Sequence, residues 1–124
     1  MTVIRAAEAR RTETPSAVMT TLVSPSQGDS DQAMWRVDAA AGSAGPLHTI
    51  SCAQVWTFIA GGATVEIDGT RHELAAGDTL VVPADIPRQV TADPDSGFAA
   101  VCMGSGASRA GVVGGDTMPL PWAQ

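Results

Sequence analysis

The sequence predicts an all-β domain, and three observations carry that prediction. The apolar residues never hold a 3.6-residue period; they fall in short runs rich in Val, Ile and Thr. Gly, Pro and Asp interrupt these runs at intervals of about 8–12 residues, the spacing of strands and turns in sandwiches and barrels. Asp68-Gly69 has such a run on either side, and this dipeptide accepts positive φ at both central positions of a two-residue hairpin turn.

In chain order the runs place strands over Ala17–Val23, Met34–Asp38, Leu47–Ile50, Val55–Ile59, Ala63–Ile67, Thr70–Leu74, Thr79–Val82, Arg88–Ala92 and Phe98–Met103. Met34 and Trp35 are neighbours on one strand, so one of them faces outward. The turn at Asp68-Gly69 sets Ile67 opposite Thr70, Glu66 opposite Arg71, and Val65 opposite His72. Glu66 and Arg71 are then placed for an ion pair on the outer face, while Val65, Ile67, His72 and Leu74 share the other. In that company His72 reads as a packed histidine rather than a ligand. Ser24–Ser30 and Gly104–Gly115 read as flexible surface loops.

Two runs, Val55–Ile59 and Thr79–Val82, are apolar on both faces, which implies a second covered surface. A homodimer is the simplest cover. The tail Met118-Pro119-Leu120-Pro121-Trp122 is preset to an extended backbone by its prolines and ends in an aromatic anchor. Two placements follow for it, across a neighbouring copy or across its own barrel.

A length of 124 residues bounds a single domain, with a core over about residues 34–103 and the N-terminal strands and Pro/Trp tail attached to it. A formal net charge of −6 without a basic cluster argues against nucleic acid and anionic membrane surfaces as partners. No window approaches the roughly 20 apolar residues of a membrane span, and Met1–Glu8 lacks the apolar run of a signal peptide. The expectation is a soluble, cytoplasmic protein. Cys52 and Cys102 lack a disulfide framework and read as separate thiols. All seven cationic residues are Arg, and the chain has no Lys, Tyr or Asn. Schiff-base chemistry on lysine and proton transfer by tyrosine are therefore excluded.

Two short blocks carry the chemistry. The first is Gly42-Ser43-Ala44-Gly45-Pro46-Leu47-His48-Thr49-Ile50-Ser51-Cys52-Ala53-Gln54, running on to Gly61; the second is Gly77-Asp78-Thr79-Leu80-Val81-Val82-Pro83-Ala84-Asp85-Ile86-Pro87-Arg88. Their spacing resembles the two signature motifs of the cupin family. Gly42, His48, Gly61, Gly77 and Pro83 match those motifs. Ile50 stands where the second His belongs, Gln54 where the Glu belongs, Asp85 at a Gly, Arg88 at the last His and Ala92 at the Asn. The resemblance implies a double-stranded β-helix, a jelly-roll barrel, whose motif residues point into the barrel mouth. Asp at position 85 suits a turn, so that departure is structurally mild.

By that resemblance His48, Ile50, Gln54 and Arg88 line the mouth, and strand alternation adds Trp56, Phe58 and Val90. The catalytic candidates are His48, Gln54 and Arg88; the substrate-binding candidates are Ile50, Trp56, Phe58 and Val90. His48 is the natural acid or base near neutral pH, Arg88 a holder of a carboxylate, enolate or phenolate, and Gln54 an orienting or hydrogen-bonding amide. Trp56 and Phe58 offer stacking faces. A catalytic divalent metal asks for three or four ligands among His, carboxylate and thiolate. His48 alone keeps one, so no cofactor is expected; a metal, if used, falls to His48, Gln54 and Cys52. Arg88 repels a cation.

The leading function is an enzyme of specialised metabolism doing non-redox acid–base chemistry on a small molecule: cyclisation, isomerisation or dehydration of a conjugated carbonyl compound. The rivals are a metal-dependent dioxygenase and a cupin that binds a small ligand without turnover.

Overall fold

The computed structural model describes residues 1–124. Eleven strands run in the order β1 (Arg11–Glu13), β2 (Val18–Val23), β3 (Gln32–Ala39), β4 (Thr49–Ile50), β5 (Gln54–Ile67), β6 (Thr70–Ala75), β7 (Thr79–Val82), β8 (Arg88–Ala92), β9 (Phe98–Ser105), β10 (Arg109–Gly111) and β11 (Thr117–Pro119). Every strand pair is antiparallel. No helix is long and apolar enough to cross a membrane.

The runs Val55–Ile59 and Ala63–Ile67, expected as two strands, are one strand that serves both sheets. The first half of β5 lies between β7 and β9, and its second half between β6 and β8. The crossing needs a corner. The register slips between Phe58 and Ala60, and Gly61 follows at φ +68°, where any Cβ would collide with the Gly97 carbonyl oxygen. One sheet thus runs β1-β2-β3-β9-β5-β7; the other holds β6, the rest of β5, and β8. Single pairings of Ala44 with Thr91 and of His48 with Arg88 join β8 to the segment entering β4, and β10 and β11 extend that side. The result is a jelly roll.

Alternation fills the space between the sheets. Trp35, Val37, Phe58, Phe98, Ala100 and Cys102 from one side meet Ile50, Ala63, Val65 and Ala92 from the other. Trp35 is the inward member of its pair, and Met34 faces out, half-buried. Phe58 packs edge-on against Phe98 with ring centroids 5.2 Å apart.

The Asp68-Gly69 hairpin has the expected register, and both residues sit at positive φ (+48° and +79°). Its side chains depart from expectation in two ways. Glu66 and Arg71 face each other without forming an ion pair, because both are exposed and water competes for them; the one ion pair is Arg36 with Asp38, at 2.9 Å along β3. His72 is exposed, since β6 has a partner strand on one side only.

Gly104–Gly115 is no simple loop. β10 lies within it, paired to β4 on one edge and β11 on the other. Arg109 fixes that hairpin by donating Nε to Thr117 Oγ1 at 3.0 Å and Nη2 to the Thr117 carbonyl at 2.9 Å. The tail then packs on its own barrel: Leu120 is buried in the core, and Thr21 Oγ1 donates to the Trp122 carbonyl at 2.6 Å.

Candidate active site

The two sheets, the N-terminal strands and the C-terminal tail enclose a mostly apolar cavity of about 650 Å³, within the range of small-molecule sites. His48, Ile50, Gln54, Trp56, Arg88 and Val90 all line it. A second groove, of about 530 Å³, lies on the outer face of the other sheet among Glu66, Arg71, Glu73 and Gln89. Its lining is mostly polar, and of the motif positions it holds only Gly42 and Ala92.

Gln54 opens β5 and is 4% exposed; Arg88 opens β8 and is 2% exposed. Their heads meet in the cavity wall. Arg88 Nη1 donates to Gln54 Oε1 at 3.3 Å, Nη2 to the Pro83 carbonyl at 3.1 Å, and Nε to the Ile86 carbonyl at 3.1 Å. All three acceptors are neutral, and no carboxylate lies within ion-pair distance of this buried guanidinium. Burial pushes its pKa down to about 10, with the negative charge of Asp85 opposing.

Trp56 follows on the same face of β5 and donates Nε1 to the same Gln54 Oε1, at 3.2 Å. Indole and guanidinium nitrogens are donors only, so the amide has one orientation that satisfies both. Gln54 Oε1 is filled by two donors; its NH₂ has no protein partner.

His48 holds its Nδ1 2.7 Å from the Pro46 carbonyl. A carbonyl only accepts, so Nδ1 carries the proton and Nε2 keeps the lone pair. Burial lowers the His48 pKa from its ordinary value, the Pro46 hydrogen bond opposes this, and the positive charge of Arg88 lowers it further. The imidazole is therefore neutral at physiological pH.

The family model described as a cupin domain matches residues 35–104. The chain belongs to the cupin family. No curated protein matches the sequence. Solved structures that resemble this cupin include KdgF from Halomonas sp., 18% identical with a TM-score of 0.71 over 85% of this chain and 93% of that one. The polyketide cyclase RemF from Streptomyces resistomycificus is 12% identical, with a TM-score of 0.72 over 85% of this chain and 79% of that one. The salicylate 1,2-dioxygenase from Pseudoaminobacter salicylatoxidans is 19% identical, with a TM-score of 0.70 over 86% of this chain but 31% of that one. At these identities the likeness shows the fold.

Two expected site residues lie elsewhere. Phe58 is fully buried against both Trp56 and Phe98, with ring centroids 6.1 and 5.2 Å away, and does not line the cavity. The register is unbroken from Gln54 to Phe58, so alternation sets Gln54, Trp56 and Phe58 all inward, and Phe58 lies deepest, in the core. Cys52 is also outside the cavity lining; it sits in the bend between β4 and β5, with Ser51 Oγ 3.8 Å from its sulfur. The set His48, Gln54 and Cys52 is thus not assembled.

The remaining residues do not fit a divalent metal. Nowhere do three or more His, Cys, Asp or Glu side chains gather. Ile50 has no donor atom, Gln54 Oε1 already takes two N–H groups, and Arg88 brings a positive charge.

Met19, Leu80, Val82, Phe98 and Trp122 also line the cavity, and none of the first four was expected there. Leu80 and Val82 lie opposite Trp56 and Gln54 in the β5–β7 register, so they share the inward face. That pairing was the missing signal.

Proposed function

We propose that this cupin is a small-molecule enzyme running non-redox acid–base chemistry on a conjugated carbonyl compound. The observation that supports this most is the pairing of a neutral imidazole, its Nε2 unprotonated, with a buried guanidinium that lacks an anionic partner. His48 Nε2 takes a proton from the carbon next to the carbonyl. The C–H electron pair moves into the C–C bond, and the carbonyl π pair moves onto oxygen, giving an enolate. Arg88 and the Gln54 NH₂ hold that oxygen as its charge develops. The imidazolium then returns the proton to a different carbon for isomerisation, or to a departing hydroxyl for dehydration. Cyclisation follows the same opening step: the enolate carbon attacks a second carbonyl, whose π pair moves onto its oxygen, and that oxygen takes the imidazolium proton. Trp56, Ile50 and Val90 supply the flat apolar bed.

The test needs no knowledge of the natural substrate. Aryl methyl ketones and β-diketones are incubated in D₂O, and exchange of the C–H next to the carbonyl is followed by proton NMR. Wild-type protein accelerates exchange, and His48→Ala loses about 10²-fold or more of that acceleration. Equal exchange by both proteins overturns the reading.

We also propose that the protein works as a homodimer through the outer face of the larger sheet. The register aligns Val81, Val55, Met103 and Met34 in one row across β7, β5, β9 and β3, with Val81 62% and Met103 42% exposed. Arg36 and Asp38, ion-paired with each other along β3, border this row on the same face. Val81→Arg is expected to convert a dimer to a monomer in light scattering. A wild-type monomer at high concentration rules the dimer out.

A further inference from the structure

We propose that the Arg88 guanidinium is a built-in cation that makes the Gln54–Arg88 wall of the cavity a subsite for a planar organic mono-anion. The ligand class is a flat conjugated body bearing a carboxylate, enolate or phenolate oxygen. This rests on the reading of the cavity as the working site and extends it to what the site selects.

Three features carry the proposal. First, the charge is buried, 2% exposed, and tied to neutral acceptors only. A buried charge left without a counter-ion is costly, and a bound anion relieves that cost. Second, the guanidinium has five N–H groups and spends three on Ile86, Pro83 and Gln54, leaving one hydrogen on each Nη. Third, Gln54 is held so that it also donates. Trp56 Nε1 and Arg88 Nη1 both fill Oε1, and the NH₂ of this 4%-exposed side chain is left without a protein partner.

This wall therefore offers hydrogen-bond donors and no free acceptor. It favours an oxyanion and disfavours an amide or ammonium at the same place. Trp56 acts here as a positioning residue: by occupying Oε1 it fixes which end of the amide meets the ligand. The same arrangement accounts for the poor fit to a metal. A protein cation stands where three of the four family ligands are missing, and the electrophilic role falls to it.

The selection is tested by calorimetric titration with 2-naphthoate and 2-naphthamide, which share shape and differ in charge. Wild-type protein is expected to bind the naphthoate at least about tenfold more tightly, as a charge-assisted hydrogen bond is worth about 1.5–3 kcal/mol. Gln54→Glu keeps the volume and gives Arg88 a carboxylate partner of its own. It is expected to lose that preference while retaining naphthamide binding. Arg88→Met loses the preference as well, and circular dichroism confirms the fold of both variants.

Equal affinity for the two probes in wild-type protein overturns the proposal, as does undiminished naphthoate preference in Gln54→Glu. Failure of both probes to bind at millimolar concentration also overturns it. The titration involves no proton transfer. His48→Ala keeps the anion preference, so a failed exchange experiment and a failed anion subsite are told apart.

Discussion

His48 and Arg88 exchange both backbone hydrogen bonds, His48 N to the Arg88 carbonyl at 3.0 Å and Arg88 N to the His48 carbonyl at 2.9 Å. They form a hydrogen-bonded antiparallel pair, so the base and the cation are set side by side by the ladder itself. Their titrations are therefore linked. The base works unprotonated, so activity rises with pH through a limb below the ordinary histidine value of 6.5, because burial and Arg88 both lower it. Activity falls again as Arg88 loses its proton near about 10. In Arg88→Met the alkaline limb disappears. The acid limb moves upward, since removing a positive neighbour favours the imidazolium. A pH–rate profile of both proteins checks each shift.

Trp56→Phe keeps the ring and deletes the N–H that holds Gln54 Oε1. One donor then remains on that oxygen, and the amide is less firmly oriented. The loss is that of one neutral hydrogen bond, about 0.5–1.5 kcal/mol, or up to about tenfold in affinity for an anionic ligand. KM for an anionic substrate rises, and kcat falls as well, because the same amide holds the oxygen on which charge develops. An unchanged KM would show that Arg88 alone orients the amide.

Much of this was legible in the residues, and the limits have physical causes. The positive-φ pair Asp68-Gly69 fixed a hairpin register through local turn chemistry, and the structure has it. The spacing of Gly42, His48, Gly61, Gly77 and Pro83 carried the barrel, since backbone corners need particular residues. The same alternation set Phe58 inward, as the structure has it, but alternation carries no depth, and the ring lies in the packed core against Phe98 rather than on the cavity wall. β10 was hidden because Arg109-Ala110-Gly111 has little strand preference of its own and is held by its pairing to Thr49 and Ile50. The Trp56–Gln54–Arg88 network was hidden too. It depends on which atom of an amide faces which donor, and no spacing rule encodes that.

The corner at Gly61 separates two kinds of glycine. Gly69 also has positive φ, +79°, but a Cβ there meets nothing within 4 Å. Gly69→Ala is expected to cost only the conformational penalty, about 1–2 kcal/mol. Gly61→Ala adds a collision with backbone that links β5 to the turn before β9, and is expected to cost on the order of 3 kcal/mol or more. Urea midpoints of the two variants measure the difference. Equal losses would mean the corner opens without strain.

Cys102 is fully buried beside Trp35 in the β3–β9 register, and burial pushes its thiol pKa well up. Cys52 is half-buried in its bend. The thiolate is the reactive form, so only Cys52 reacts with Ellman's reagent under native conditions, and Cys102 follows on unfolding. Cys52→Ser should abolish the native signal. A native signal from Cys102 would mean that β9 opens readily.

Leu120 tests where the tail belongs. It is 3% exposed and packs into the core cluster with Ala123, while Trp122 closes one side of the cavity. Leu120→Ala removes buried methyl groups from an intramolecular contact, at an expected cost of about 2–5 kcal/mol. A contact within one chain is lost equally at all protein concentrations. If the tail crossed to a neighbouring copy instead, the variant's deficit would shrink on dilution, because the contact would be lost as the copies separate. Denaturation of both proteins over a wide concentration range separates the cases, and a constant deficit is the expected result.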